Sequence, residues 1–201
     1  MATPLGHYLV GLSLAVGLGR DAAERARGRW LAAVACVPDL DVLPGVLVGD
    51  LSRFHHGATH SLTAAALFAG TSALVLRWGG RPPSTRALLL VFVLYASHSL
   101  VDAFTLDPSP PRGVPLLWPW DAAAYESPWP LLPNVQHSRA PLLSAHNLML
   151  MVQEMVVFVP LVALAHVLRS RRRAWARPAV FLYGSWFLAA VAVSVAALNA
   201  S

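Results

Sequence analysis

Histidines and aspartates cluster at four places in a chain that is otherwise strongly apolar. The densest is the stretch 55–61, His-His-Gly-Ala-Thr-His-Ser, which puts three imidazoles within six positions directly before an apolar segment. The other three places hold His7, then Asp39 with Asp41, and then His98 with Asp102. Polar side chains inside apolar, membrane-length segments are costly and usually mark function. Together these residue types predict a metal site.

The spacing of the aspartates and histidines defines what chemistry they can do. His98 and Asp102 are four residues apart, so on a helix both project from one face and supply two ligands, or one ligand and the carboxylate that orients it. Asp39 and Asp41 would point apart on an intact helix, but Pro38 removes a backbone donor and kinks the chain, which lets both reach one cavity. Mixed nitrogen and oxygen ligands suit Zn²⁺, and also Mn²⁺ or Fe²⁺, as one or two ions. Such an ion with an open coordination position makes hydroxide available near neutral pH for attack on an ester or phosphoester.

The remaining histidines and acids are weaker candidates. Glu154 lies within an apolar segment, where a buried carboxylate needs a partner that a metal or a histidine would provide. His56 is either part of the site or a solvated loop residue, and the same choice stays open for His137 and His146. His166 is expected to make a packing hydrogen bond. Four acids are expected to be ordinary loop residues: Asp50, Asp107, Asp121 and Glu126.

The composition indicates an integral membrane protein. Of the 201 residues, 56% are hydrophobic and 12% charged, whereas soluble domains carry about 25% charged residues. The net charge is +5, and the chain contains arginine but no lysine. Most of the arginines lie in clusters at 20–29, 77–86 and 169–177, between apolar runs. This distribution is typical of membrane-protein loops. We therefore expect membrane lipids, and no nucleic acid, as partners.

Six apolar segments approach the length of a membrane helix, which is about 20 residues. They cover residues 4–18, 30–48, 60–78, 87–106, 142–168 and 178–198, and the connection from 107 to 141 is rich in proline and tryptophan. The expected fold is one all-α polytopic bundle of about six transmembrane helices over residues 1–201, with a long irregular outer loop. The positive-inside rule places the arginine clusters in the cytoplasm. The histidines and aspartates then lie within about two or three turns of the outer boundary.

Several short motifs, in order, resemble the YdjM-like family of bacterial membrane-bound metal-dependent hydrolases. The resemblance covers about the first 120 residues and rests on these motifs: Gly6-His7, Pro38-Asp39-Leu40-Asp41, His55 to Ser61, Ser97-His98 followed by Asp102, and Gly113 to Pro119. It implies a metal-dependent hydrolase in the bacterial inner membrane. Two departures bear on metal count or substrate. The family often has arginine where this chain has His56, and histidine where it has Val42.

The resulting expectation is a multi-pass protein of the bacterial cytoplasmic membrane that hydrolyses an ester or phosphoester at a site facing the extracytoplasmic side. The substrate is expected to be amphipathic or lipid-linked, and the Trp-rich loop around 113–120 would help to admit it. The expected metal ligands or supporting residues are His7, Asp39, Asp41, His55, His60, His98 and Asp102. Catalytic roles are expected for Asp39, Asp41, His55 and Asp102, with His56 and Glu154 as additional members.

Two other functions are compatible with the same residues. A metal- or proton-handling transporter or sensor would also use intramembrane histidines and aspartates, but it needs a polar path through the apolar inner halves of the helices. A metal-free lipid phosphatase with a histidine nucleophile would need a cationic phosphate cradle before His98. No arginine lies between Arg86 and His98, which disfavours this reading.

Overall fold

The secondary structure of the protein is helical. The structure is a computed structural model and describes residues 1–19, 22–50, 53–107, 112–136, 143–170 and 175–200. Apart from two isolated β-bridges, the regular structure in these ranges consists of 3-10 turns and seven α-helices. The α-helices are α1 (Pro4–Leu18), α2 (Ala22–Leu31), α3 (Leu43–Val48), α4 (Leu62–Trp78), α5 (Thr85–Ala103), α6 (Ala145–Arg169) and α7 (Ala176–Asn199). The all-α prediction is confirmed for this part of the chain.

The helices that carry or support the candidate site begin at residues well suited to a helix N-terminus. Helices α4, α5 and α6 each follow a serine whose hydroxyl accepts a hydrogen bond from the N–H three residues further on: Ser61, Ser84 and Ser144. Helix α1 follows Thr3, whose side chain accepts from the N–H of Leu5, and has Pro4 in its first turn. Such caps satisfy N–H groups that have no partner within the helix. They fix where each helix starts relative to the histidines.

Helix α1 is the central element of the bundle. It packs against α6, α5 and α2, and it buries much of its length, including His7, Val10 and Val16. Gly11 allows the closest approach, since a Cβ there would lie 2.7 Å from the carbonyl oxygen of Ala32. Small residues at such contacts are typical of membrane helix packing. His7 is therefore held on a helix that is enclosed on several sides.

The segment predicted as one helix over residues 30–48 is broken in the structure. Helix α2 occupies part of the predicted arginine-rich connection, and the chain continues through two 3-10 turns, Ala32–Cys36 and Pro38–Val42, before α3. The two halves of this segment, Arg27–Cys36 and Pro38–Val48, are bent by 43°. Pro38 has no N–H to donate and disfavours regular helix before it. As a result Asp39 and Asp41 lie in a tight turn and not on an extended helical face.

Three helices, α5, α6 and α7, are long and apolar enough to cross a membrane, and the broken segment is a fourth if its halves count as one span. Helices α1 and α4 are apolar but shorter. The described residues thus support several membrane spans without establishing all six. Helix α7 leaves large apolar side chains exposed, among them Phe181 at 78% and Leu188 at 67%. Such a surface is suited to lipid contact.

Charged side chains hold the two ends of α1. Glu154 of α6 accepts hydrogen bonds from Thr3 at the N-terminus, and Arg86 and Arg169 donate to the carbonyls of Leu18 and Gly19 at the C-terminus. A negative charge at a helix N-terminus and positive charges at its C-terminus both stabilise the helix dipole. We call these the site end and the arginine end of the bundle.

The described part of the predicted long loop, residues 112–136, packs across the site end and is called the cap segment below. It contains no helix, and its backbone is tied to the end of α5 by the bonds from Ser127 N to Ala103 O and from Leu131 N to Phe104 O. It also bonds the start of α4, where Leu62 N donates to Leu116 O. The cap segment therefore connects the elements that carry the site.

Candidate metal centre

All seven residues predicted as ligands or supporting residues meet at the site end. They come from α1, the turn after Pro38, the segment before α4, and α5. His7, His60, His98 and Asp102 are essentially fully buried, and the side chains of His55, Asp41 and Asp39 are only 4%, 7% and 12% exposed. Burying this many polar and ionisable groups is unfavourable unless they find partners. Their contacts therefore indicate what the cluster is for.

Asp41 faces the back of two imidazole rings. Its Oδ1 accepts a hydrogen bond from Nδ1 of His55 at 2.7 Å, and its Oδ2 lies 3.3 Å from Nδ1 of His60. Thr59 also donates its hydroxyl to Oδ2, at 2.7 Å. A carboxylate on Nδ1–H fixes the ring orientation and leaves the lone pair on Nε2, the usual arrangement behind a metal-bound histidine. Asp41 is thus placed to orient both rings.

The front of the cluster brings Nε2 atoms and carboxylate oxygens together. Nε2 of His98 lies 3.1 Å from Nε2 of His60, 3.1 Å from Oδ2 of Asp102 and 3.3 Å from Oδ1 of Asp39. The opposite nitrogen of His98, Nδ1, donates to the carbonyl of Ala35 at 2.7 Å, which leaves Nε2 as the lone-pair nitrogen of the neutral ring. The predicted pairing of His98 and Asp102 across one helical turn is present.

His7 completes the buried side of the cluster. Its ring stacks on that of His98 with a centroid distance of 3.7 Å, and its Nε2 lies 3.3 Å from Oδ1 of Asp102. The same oxygen accepts a hydrogen bond from the backbone N–H of Ala2 at 3.0 Å. Asp102 therefore joins the start of α1 to α5, while the Met1 thioether lies against Nε2 of His55.

The donor atoms fit a divalent cation. Among the described residues, both nitrogens of His7, both oxygens of Asp39 and Oδ2 of Asp102 are buried without a hydrogen-bond partner. Such orphaned groups are unfavourable unless something else satisfies them. Ligand atoms about 2.1 Å from one ion are about 3.0–3.4 Å apart, close to the 3.1 and 3.3 Å separations around His98.

Three sets of side chains within the described residues each offer three ligand atoms that lie within 4.8 Å of one another. One set joins α1, the turn after Pro38 and α5; the second lies in the segment before α4; and the third connects them. The sets are His7, Asp39 and His98; His55, His56 and His60; and His60, His98 and Asp102. Side chains of this type can hold metal ions.

His56 and Asp107 are closer to the cluster than their sequence suggested. Oδ2 of Asp107 lies 3.5 Å from Nδ1 of His56 and accepts from the N–H of Gly113 at 3.3 Å. Asp107 is only 8% exposed, and its own N–H donates to Glu126 at 2.9 Å. The expectation that Asp107 is an ordinary loop acid is therefore wrong, whereas Glu126 only accepts a hydrogen bond from the loop backbone. Sequence spacing gave no signal for the pair of His56 and Asp107, because the two residues lie far apart in the chain.

Glu154 has partners other than the histidines. Its Oε1 accepts from the N–H of Thr3 at 2.5 Å, and its Oε2 accepts from the Thr3 hydroxyl. A Cβ on Gly6 would lie only 2.8 Å from Cδ and Oε1 of Glu154. Glu154 belongs to none of the three ligand sets in the described chain. It holds the N-terminus of α1 and acts on the cluster through that helix.

The other predicted histidines lie apart from these sets. Nε2 of His146 donates to the carbonyl of Asn134 at 2.8 Å, and Nδ1 of His166 to that of Val162, four residues earlier in α6, at 2.9 Å. His137 lies outside the described residues. Sequence reasoning missed Thr3 and Thr59, whose hydroxyls bond the two supporting carboxylates. The signal that could have found them is their position, because each threonine is close in sequence to a candidate histidine.

The fold and the cluster define a helical membrane protein with a buried centre of histidines and aspartates that can hold metal. The sequence matches the family described as YdjM inner membrane protein over residues 1–198, and the chain belongs to that family. It is also 30% identical over 180 residues to inner membrane protein YbcI of Escherichia coli (strain K12), a match that covers 86% of this chain and 100% of that relative. No solved structure matches the chain significantly. The resemblance drawn from the short motifs is confirmed.

Proposed function

We propose that the protein is a membrane-embedded, metal-dependent hydrolase of an ester or phosphoester. The observation that carries this is the set of buried carboxylate oxygens of Asp39 and Asp102 that face imidazole nitrogens of His98 and His60 without hydrogen-bond partners among the described residues. A purely structural cluster would satisfy these atoms. A divalent ion, Zn²⁺ with Mn²⁺ or Fe²⁺ as alternatives, would satisfy them and would supply a Lewis acid and an activated water.

Each residue of the cluster has a distinct role in this proposal. His7, His98 and Oδ1 of Asp39 would hold the ion, with Asp102 beside His98, and His60 and His55 would face it from the segment before α4. Asp41 keeps the rings of His55 and His60 in the Nδ1–H tautomer. In this proposal Asp41 orients these two rings and does not have the catalytic role that was expected from the sequence.

Asp39 is the group we assign to proton transfer. Its side chain is 12% exposed, against 7% for Asp41 and 0% for Asp102, although both of its carboxylate oxygens are buried. Its Oδ2 is unpartnered among the described residues and can hold the proton that leaves the attacking water. The substrate enters on the side of Asp39 and His56.

The proposed substrate is amphipathic or lipid-linked, and the site faces the extracytoplasmic side of the inner membrane. Arg86 and Arg169 lie at the end of α1 opposite to the centre, and arginine-rich ends are cytoplasmic by the positive-inside rule. The cap segment supports entry from the membrane surface, since Trp120 is 81% and Trp129 63% exposed there. Tryptophan is enriched at membrane interfaces.

The transporter alternative is less well supported. Further from the site end than Glu154, the core between α1, α6 and α7 contains apolar side chains such as Val10, Val157 and Phe158. An ion leaving towards the arginine end would have to cross this layer without polar partners. Metal-driven flux into proteoliposomes at a rate above that of His98→Ala would favour transport over hydrolysis.

The proposal is tested by metal content and activity measured together. Detergent-purified protein is analysed by elemental mass spectrometry beside His98→Ala, with His166→Ala as the matched control because that ring bonds only within its own helix. We expect bound metal in the parent and control and its loss in His98→Ala. Chelator-sensitive hydrolysis of aryl phosphoesters or esters should follow the metal. A parent protein that holds no metal after reconstitution would refute the proposal.

A further inference from the structure

Three histidines beside the buried aspartates form a set of their own. One ligand nitrogen from each of His55, His56 and His60 lies within 4.8 Å of the others, and the ring centroids are 4.5 to 5.1 Å apart. This set shares no residue with the set of His7, Asp39 and His98. Three histidines are a complete protein ligand set for a zinc ion with an open fourth position.

Each ring of this set has a carboxylate on its Nδ1 side. Asp41 faces Nδ1 of His55 and of His60, at 2.7 and 3.3 Å, and Asp107 lies 3.5 Å from Nδ1 of His56. This is the arrangement that orients metal-binding histidines, because it leaves the lone pair on Nε2. Nε2 of His56 is buried and has no hydrogen-bond partner among the described residues.

The backbone at His56 is specialised to bring its ring into the set. Its φ of +61° is the one positive value at a non-glycine residue in the described chain. Side chains of successive residues in an extended chain point to opposite faces. The left-handed conformation instead turns His56 towards His55, and such uncommon backbone angles concentrate at functional sites.

Asp102 lies between the two sets. Its Oδ2 is 3.1 Å from Nε2 of His98, a member of the set with His7 and Asp39, and 3.6 Å from Nε2 of His60, a member of the three-histidine set. A carboxylate in this position reduces the repulsion between two cations held side by side. The buried negative charges of Asp39 and Asp41 act in the same direction.

We propose that His55, His56 and His60 hold a second divalent cation, so that the centre takes two ions. This rests on the proposed metal centre and adds a position in which His56, supported by Asp107, is the decisive ligand. The side chain of His56 is 19% exposed, so the second ion lies on the open side of the centre. The Met1 thioether beside His55 is a neutral, weak donor that does not oppose a cation there.

The test uses a variant that removes the ring and keeps the backbone. His56→Gly retains the positive φ, which glycine adopts freely. Metal-free protein in detergent is titrated with Zn²⁺ alone, and bound metal is counted by elemental mass spectrometry after desalting. The parent and the control His166→Ala should bind two equivalents and His56→Gly one. Asp107→Asn should keep two equivalents but bind the second about 10- to 100-fold more weakly.

The outcomes separate this inference from the proposed function. Two equivalents in both the parent and His56→Gly would overturn the second position. One equivalent in the parent would also overturn it, whether or not His56→Gly retains that ion, and would leave the hydrolase proposal standing. No metal in the parent would overturn both. A parallel Co²⁺ titration, read by visible absorption, should show two spectroscopic phases in the parent and one in His56→Gly.

Discussion

The contact between Gly6 and Glu154 should determine how firmly α1, and with it His7, is held at the centre. A Cβ added at Gly6 would meet Cδ and Oε1 of Glu154 at 2.8 Å and Cγ at 3.2 Å. Carbon atoms pack at about 3.5 Å or more, so Gly6→Ala must displace α1 or the carboxylate by roughly 0.7 Å. Displacement lengthens the hydrogen bonds from Thr3 to Glu154.

The expected magnitude follows from these contacts. Overpacking in a tight core costs about 1–3 kcal/mol, and a weakened bond to a carboxylate adds up to about 1.5–3 kcal/mol. Gly17→Ala is the matched control in the same helix, because its Cβ would meet only the Cβ of Ala165, at 3.8 Å. There the replacement of a glycine in the last turn of α1 by alanine should stabilise by about 0.4–1 kcal/mol. The two substitutions should therefore change stability in opposite directions.

The assay is equilibrium unfolding in detergent micelles, combined with Zn²⁺ affinity. Gly6→Ala should lower the free energy of unfolding and weaken Zn²⁺ binding, since His7 moves with α1. The double variant Gly6→Ala/Glu154→Asp has a shorter carboxylate side chain and should recover part of the lost stability and part of the lost Zn²⁺ affinity. A double-mutant cycle should therefore give a coupling energy of about 0.5–3 kcal/mol. Equal effects of Gly6→Ala and Gly17→Ala, or no coupling to Glu154, would refute this account of how α1 is held.

Three further results are expected. Asp41→Asn should keep the metal stoichiometry but weaken affinity about 10- to 100-fold, as measured by competition with a chromophoric chelator; an unchanged affinity beside the control Asp121→Asn would contradict the orienting role. At a Zn²⁺ concentration 100 times the Kd of the parent, Zn²⁺ should stabilise the folded protein by about 2.7 kcal/mol, which is measured as a rise in Tm. His7→Ala should show a smaller rise at the same Zn²⁺ concentration, and an equal rise would exclude His7 as a metal ligand. Alkaline phosphatase fused after residue 200 should be active and fused after residue 80 inactive; the reverse pattern would place the centre in the cytoplasm.

Much of the helical framework could be predicted from local sequence. The predicted bounds 4–18 are those of α1, and the predicted segments 60–78 and 142–168 differ from α4 and α6 by at most three residues at either end. This succeeded because Pro4 and the capping serines mark helix starts and apolar runs mark helix bodies. The segment 30–48 is bent at Pro38, as the sequence predicted, but its first half begins earlier, within α2, and continues as 3-10 turns in place of regular α-helix. Hydropathy alone cannot register such a change.

The sequence by itself determined which residues carry the chemistry. His98 and Asp102 had to share a face once their segment was a helix, and an apolar environment required every histidine and aspartate of the cluster to have a partner. Membership of a membrane family followed from short motifs in a fixed order. These features depend on local spacing and composition, which the chain carries without reference to its fold.

Only the tertiary structure decided the role of each side chain. Asp41 lies behind two histidines and Asp39 in front of them because of the turn after Pro38, although the two are equivalent in sequence. Glu154 bonds Thr3, and Asp107 faces His56, across contacts between distant parts of the chain. A carboxylate bonds the groups that lie within a few ångströms of it, and the packing between elements decides which groups those are.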